Sequence, residues 1–357
     1  MFDCSKDLVA FHDKEVTLPQ GERTEMKQRR DSNRKRLLNG LAKAGKPMPL
    51  EFKSQGSYAM KTMVQDPDKN YDIDDGVYFA KEDLVGPRGG HMSSLEARTM
   101  VRDALDDGSF KTPPEVRKHC VRVYYEAGYH VDVPVYRRVT ETDALGNVAA
   151  VYHELASSTW IRSDARDVTA WFEAQNNIQS PDEDNGRQMR RMVRDTKSFA
   201  RSRHSWIGRT LSGFAITKLI TECYAPNADR EDRAFYDTLV EMHSRLEKDL
   251  VIEHPCTEGA TITRGDEDPK AVFFKEKLAD AIANLAVLFE PGCTRTAALK
   301  AWDKVFNTTF FSERDTSTRG VAAAAAPSIL SAGMLRANAE AAMAREPVRK
   351  EGDRRYA

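Results

Sequence analysis

Three carboxylates stand at spacings that suit phosphoryl chemistry. Asp72 and Asp74 open the run Tyr71-Asp-Ile-Asp-Asp-Gly-Val-Tyr-Phe79, and Asp132 lies within Tyr129-His-Val-Asp-Val-Pro-Val-Tyr136. Strand side chains alternate faces, so Asp72 and Asp74 point one way and Ile73 and Asp75 the other. Two carboxylates on one strand face make a hard-oxygen site for Mg2+, which fills its remaining positions with water and substrate phosphate. With Asp132 as a third ligand, two ions fit, one at an attacking hydroxyl and one at a triphosphate. Upstream, Gln55-Gly56-Ser57 supplies a small-residue turn whose N–H groups and hydroxyl suit a phosphate. Together these residues predict metal-assisted phosphoryl transfer on a nucleotide, with Asp72, Asp74 and Asp132 as metal ligands and catalytic groups. The plainer reading is an acidic turn entering a strand. The Gly-Ser turn, the alternation, the apolar continuation Val77-Tyr-Phe79 and the later Asp132 all argue against it.

The surrounding pattern predicts the elements that must hold these groups. A long, highly charged helix covers about 22–44, is stopped by Gly45-Lys-Pro47, and at about 34 Å is long enough to span two lobes. Ser93 or Ser94 caps a helix with Glu96 near its start. Cys120 to Glu126 and Tyr129 to Tyr136 read as strands joined at Ala127-Gly128. In the second, the valines form the buried face and Pro134 marks an edge or an end. A turn at Leu145-Gly-Asn147 leads into another strand over 148–155. After Trp160 the strand signal stops, a helix starts at Ser163-Asp164, and a polar linker covers 176–186. Helices follow at about 187–203, 210–224, 229–250, 270–289 and 295–306. The first of these carries Arg187, Arg190, Arg194, Lys197 and Arg201 on a stripe about 80° wide. Most of that stripe reads as a solvated face, with one or two cations lining a cleft and Lys197 suited to a triphosphate. Arg209-Thr-Leu-Ser-Gly213 begins the next helix, where a hydroxyl and free N–H groups can also hold phosphate.

The bulk numbers set limits. A chain of 357 residues fits two lobes. Its 54 basic and 55 acidic residues leave a net charge of −1, so no overall basic footprint for duplex DNA is expected. Five scattered cysteines suggest neither a zinc cage nor a disulfide framework, and point to a reducing cytoplasm. No signal peptide and no membrane-length apolar run are read. Gly86-Pro-Arg-Gly-Gly90 lacks the Gly-Lys-Ser/Thr of a P-loop. Beyond residue 312 the composition changes, with Ala322 to Ala326, a helical pattern over 328–344, and a flexible tail ending in Arg354-Arg-Tyr-Ala357.

Gln55-Gly-Ser-Tyr58, Asp72-Ile-Asp-Asp-Gly76 and Asp132 resemble the nucleotidyltransferase core of the bacterial cGAS/DncV-like nucleotidyltransferases of CBASS antiphage systems, closest to the DncV-type cyclic GMP-AMP synthases. The similarity runs over roughly 20–310 and includes Arg187-Gln-Met-Arg-Arg-Met-Val-Arg-Asp-Thr-Lys197. It implies an α+β, bilobed fold: a polymerase-β-like palm lobe with the long helix over 1–175, an all-helical lobe over 176–311 and a central cleft, followed by an extension over 312–357. It further implies that Asp72, Asp74 and Asp132 bind two Mg2+, that Gln55, Gly56 and Ser57 contact nucleotide, and that Lys197 and Ser212 hold the donor triphosphate. ATP and GTP would be joined to 3′,3′-cyclic GMP-AMP with loss of pyrophosphate. The animal relatives' zinc ribbon and basic DNA face are absent. The ending resembles termini that an E1/E2-like partner conjugates, which would make Ala357 the attachment point. Two other readings keep some of these features: a template-independent RNA-end nucleotidyltransferase, and a non-catalytic docking protein, which the intact aspartates oppose.

Overall fold

The computed structural model describes residues 1–66, 71–87, 89–125 and 128–315. Helix α1 (Ser5–Phe11) runs into a π-helical turn at His12–Val16 and then into α2 (Gln20–Lys43). The next elements are β1 (Glu51–Gln55), the single turn α3 (Gly56–Ala59), β2 (Asp72–Ala80) and α4 (Ser94–Leu105). The sheet is completed by β3 (Glu115–Val116), β4 (Val121–Tyr124), β5 (His130–Val133), β6 (Val135–Thr142), β7 (Val148–Ala156) and β8 (Trp160–Arg162). Helices α5 (Ala165–Gln179), α6 (Gln188–Arg201), α7 (Gly213–Cys223), α8 (Glu231–Lys248), α9 (Pro269–Leu285) and α10 (Arg295–Phe306) follow. This is the expected α+β, two-part architecture. No helix among the described residues is long and apolar enough to cross a membrane.

β2 is the axis of the sheet. β1 pairs with it antiparallel on one side, while β5 and β6 pair with it parallel on the other. Pro134 divides β5 from β6, having no N–H for the ladder, yet one register continues across it and Val77 N donates to the Pro134 carbonyl at 2.9 Å. The short β8, absent from the sequence expectation, adds an edge beside β7.

The alternation sorts the faces of β2. Ile73, Val77 and Phe79 join Val121, Val123, Val131, Val133 and Val135 beneath α2 and α4. Ser93 caps α4 in a complete capping box with Glu96. Charged almost all round, α2 docks by stacking guanidinium groups on aromatic rings, Arg29 on Tyr125, Arg34 on Phe52 and Arg36 on Phe110, 4.3–5.3 Å from their centroids. It meets α4 at Gly40, where an added Cβ would lie 1.9 Å from the Ala104 carbonyl oxygen. Its buried residues Met26, Leu37 and Leu41 belong to the sheet core, so α2 covers the sheet lobe instead of spanning both.

The helical core is drawn differently from the sequence expectation at its start. Cys4, Leu8, Phe11 and Val16 pack with α6, α7, α8 and α10, so the chain begins in the helical lobe. Met60 and Val64, just beyond α3, enter the same core, as do Val168 and Phe172 of α5. The lobes are thereby joined by apolar packing next to the Gly-Ser turn. The alanine run, the helix over 328–344 and the terminal tail lie outside the described residues.

Candidate active site

The parallel register places Asp72 opposite His130 and Asp74 opposite Asp132, so all three carboxylates belong to the sheet face opposite α2 and α4. Asp72 and Asp74 are half-buried and line a cavity of about 570 Å³ between the lobes. Asp132 is buried, and Arg122 on β4 grips both its oxygens, Nε to Oδ1 and Nη2 to Oδ2 at 2.7 Å each. Among the described residues no three His, Cys, Asp or Glu side chains are grouped to hold one ion. The two carboxylates at Asp72 and Asp74 nonetheless suit a hard divalent cation, since facing an open cavity they leave positions for water and phosphate.

Asp75 lies on the opposite face. Arg34 holds it through both oxygens at 2.7 and 2.6 Å, and Ser54 Oγ donates to it at 3.1 Å. It closes α2 onto β1 and β2 and takes no part in the cavity.

The turn before β2 is shaped around Asp74. Gly56 has φ +60, and a Cβ there would lie 2.3 Å from Asp74 Oδ2. Only glycine meets both conditions without displacing the carboxylate. Ser57, in the one-turn α3, also lines the cavity. Gln55 is buried: its Nε2 donates to Tyr78 Oη at 2.9 Å, and its Oε1 accepts from Tyr136 Oη at 3.1 Å. The two tyrosine rings stack at 4.5 Å. Burial, then the neighbouring Tyr136 and Asp164, pushes the Tyr78 phenol well above its ordinary range, so it stays protonated. Gln55 therefore anchors the end of β1 under the turn, and Gly76 leaves room for it, since a Cβ there would meet Gln55 Nε2 at 2.1 Å.

The helical lobe supplies the opposing wall. Lys197 is buried on α6 and donates to Thr62 Oγ1 at 2.8 Å and to the Thr62 carbonyl at 3.3 Å. Its stem lies 3.3 Å from where a Cβ on Gly213 would sit, so the start of α7 abuts the lysine. Ser212 caps α7, its Oγ accepting from Ala215 N at 3.1 Å. Lys197, Arg201, Ser212 and Gly213 all line the cavity.

The expectation of a solvated stripe on α6 is overturned. Arg190, Arg194 and Lys197 are buried, as is the neighbouring Arg191. Arg190 pairs with Glu173, and Arg191 with Asp182 and Glu231. Arg194 donates to the Asn185 carbonyl and Thr17 Oγ1, and burial lowers its pKa to about 10. The helix is wrapped by α5, α7, α8 and the N-terminal π-turn, so its charges serve as internal struts.

Sequence reasoning missed other lining residues: Lys118, His119, His254, Arg264 and Lys270. They come from loops and a helix start with no periodic signature, and only the tertiary fold brings them together. Arg98 sets the Lys118–His119 loop by donating to the carbonyls of Lys118, Ser94 and Ser157 at 2.8–3.2 Å. Burial, then the charges of Lys118 and Arg98, holds His119 below the ordinary histidine range.

A sheet lobe with adjacent carboxylates, facing a helical wall with a lysine and a capped helix start, defines a bilobed nucleotidyltransferase architecture. Residues 50–136 match the family model for the nucleotidyltransferase domain of the DncV-like cyclic GMP-AMP synthases. By that match residues 50–136 form a DncV-like nucleotidyltransferase domain. A cyclic GMP-AMP synthase of Escherichia albertii is 24% identical over 221 residues, spanning 60% of this chain and 46% of that relative, which is less than half of its length. Two solved structures of Vibrio cholerae DncV cyclic AMP-GMP synthase share the fold. The complex with nonhydrolyzable GTP gives a TM-score of 0.65 at 17% identity, covering 86% of this chain and 96% of that one. The complex with the linear intermediate pppA(3′,5′)pG gives 0.62 at 18% identity, covering 82% and 91%.

Proposed function

We propose that this protein joins two nucleoside triphosphates into a cyclic dinucleotide, by two successive nucleotidyl transfers that each release pyrophosphate. The observation that carries this reading is the opposition, across one cavity, of Asp72 and Asp74 on the sheet to Lys197 and Ser212 on the helical wall. The family-model match over residues 50–136 and the ligands of the solved DncV complexes support it.

In the first transfer, the 3′-hydroxyl of one nucleotide attacks the α-phosphorus of the other. The P–O bond to the β-phosphate breaks, and the leaving pyrophosphate takes the electron pair. In the second, the remaining 3′-hydroxyl closes the ring. Lys197 and Ser212 hold the donor triphosphate, the lysine acting as a point charge. The Gly56-Ser57 turn meets the phosphates from the other side, and Gln55 fixes that turn through Tyr78 and Tyr136. Asp72 and Asp74 would hold divalent metal, with Asp132 as third ligand for a pair of Mg2+. Bound there, metal would lower the hydroxyl's pKa and neutralise charge on the phosphates. Positioning two nucleotides in one cleft contributes the rest of the rate.

The best-supported substrates are ATP and GTP and the best-supported product is 3′,3′-cyclic GMP-AMP, acting as an antiphage second messenger in the cytoplasm. The test is to incubate the protein with the four NTPs and Mg2+ and to analyse phosphatase-resistant products by mass spectrometry, beside Asp74→Asn. A cyclic dinucleotide that disappears in the variant is the expected result. Extension of labelled RNA, or no product with any metal, would overturn it.

A further inference from the structure

Phe214, at the start of α7, and His254, in the loop between α8 and α9, both line the cavity. They are half-buried, with ring centroids 5.5 Å apart. The loop that carries His254 is pinned to itself. Glu253 forms a β-bridge with Thr261, His254 N donates to the Ala260 carbonyl at 2.8 Å, and Ile262 N donates to the Ile252 carbonyl at 2.7 Å. Thr263 Oγ1 accepts from Ile252 N at 2.9 Å, and Thr261 Oγ1 donates to the Thr263 carbonyl at 2.9 Å.

The surroundings of His254 set its tautomer. Cys256 N donates to its Nδ1 at 3.2 Å, and a backbone N–H can only donate, so Nδ1 carries no proton. Burial holds the ring below the ordinary histidine range and so keeps it neutral. The proton therefore sits on Nε2, which meets no partner among the described residues. Arg264 and Lys270 line the same wall as exposed cations and are donors only. The carboxylate beside them, Asp268, is engaged at the start of α9, where Oδ1 accepts from Lys270 N and Ala271 N and Oδ2 from Arg264 N.

We propose that Phe214 and His254 form a nucleobase station that reads guanine, with Phe214 stacking on the base and His254 Nε2 donating to its O6/N7 edge. The inference rests on the nucleotide reading above and adds the base that this wall prefers. Guanine presents two adjacent acceptors on that edge, whereas adenine sets an N6 amino donor beside N7. A wall of donors attracts the first edge and meets the second with one donor facing another. Stacking alone tolerates any base, since each has a π-face, so Phe214 supplies affinity and His254 the choice. The pinned loop keeps the donor in place before a base arrives.

The experiment is equilibrium dialysis of the full chain with Mg2+ and 2′,3′-dideoxy triphosphates, which lack the attacking 3′-hydroxyl. Binding of ddGTP, ddITP and ddATP is compared in wild type, His254→Ala and Phe214→Leu. Hypoxanthine keeps O6 and N7 and lacks the 2-amino group, so wild type is expected to bind ddITP within about twofold of ddGTP. His254→Ala is expected to weaken ddGTP and ddITP by about tenfold, and ddATP by less than about twofold. Phe214→Leu keeps apolar bulk and loses the ring face, and is expected to weaken ddGTP and ddITP alike by about five- to tenfold. Melting temperatures check that both variants are folded, and the ddITP comparison in wild type needs no variant. The proposal is overturned by an unchanged ddGTP affinity in either variant, by an equal loss for ddATP in His254→Ala, or by ddITP binding far more weakly than ddGTP. Each of these leaves the nucleotide reading standing. A wild type that binds none of the three triphosphates would overturn both.

Discussion

The two faces of the sheet treat the same side chain in opposite ways. Asp74 and Asp75 are consecutive on β2, yet Asp75 is closed by Arg34 and Ser54 beneath α2, whereas Asp74 opens on the cavity. One face joins carboxylates to guanidinium groups to seal a helix. The other gathers carboxylates where two lobes leave a gap. Asp132 lies between these cases, on the cleft face but held by Arg122 as Asp75 is held by Arg34. Proximity on a strand therefore says little about role, and the face decides it.

Exchanging the two neighbours is the sharpest way to break this contrast. Asp74→Asn is expected to lower nucleotidyl transfer on the order of 10³-fold with the melting temperature nearly unchanged. Equal activity losses for Asp74→Asn and Asp75→Asn would erase the distinction. Next in size, Lys197→Ala removes a charged contact from the opposing wall, and the KM for the donor nucleotide is expected to rise roughly 10- to 100-fold. Gly56→Ala probes the turn, because its Cβ would press on the Asp74 carboxylate at a φ that disfavours a side chain. It is expected to cut kcat by about tenfold or more, at a stability cost near 1 kcal/mol measured by urea unfolding. Asp75→Ala leaves the Arg34 guanidinium without its carboxylate. It is expected to cost about 2 kcal/mol in the same assay, Arg34 being 27% exposed, with little change in Mn2+ affinity.

The smallest effect is one of pH. Burial holds His119, His153 and His254 below the ordinary histidine range. The unfolded chain then takes up protons first as pH falls through about 6.5, so stability is complete above that pH and declines below it. Melting temperatures are expected to be flat from about pH 8 to 7 and to fall toward about pH 5. A decline that is unaltered in His153→Gln and His254→Gln would assign it to other groups.

Much of the site was legible because its signals are local. Alternation in Asp72-Ile-Asp-Asp75 sorts faces without any knowledge of the partners, and the valine stripe around Asp132 does the same. Ser93 with Glu96 and Pro134 announce a cap and a break through backbone chemistry alone. The α6 stripe misled because periodicity gives the direction of a side chain and not what lies in that direction. Helices α5, α7 and α8 and the N-terminal π-turn enclose that helix, so a face that reads as solvated is filled with struts. Lys118, Arg264 and Lys270 carried no signal, since nothing local distinguishes them from surface charges.

By itself, the sequence determined the strand-turn-strand that presents Asp72 and Asp74, the glycine at Gly56, and the division into a sheet part and a helical part. These follow from the two-residue period of strands and from backbone limits at single residues. Only the tertiary structure decided that Asp132 stands beside Asp74 in the grip of Arg122, that Lys197 reaches Thr62 across the lobes, and that the chain begins inside the helical core. Each of these is a contact between segments far apart in the chain, set by strand order and helix packing, to which local patterns are blind.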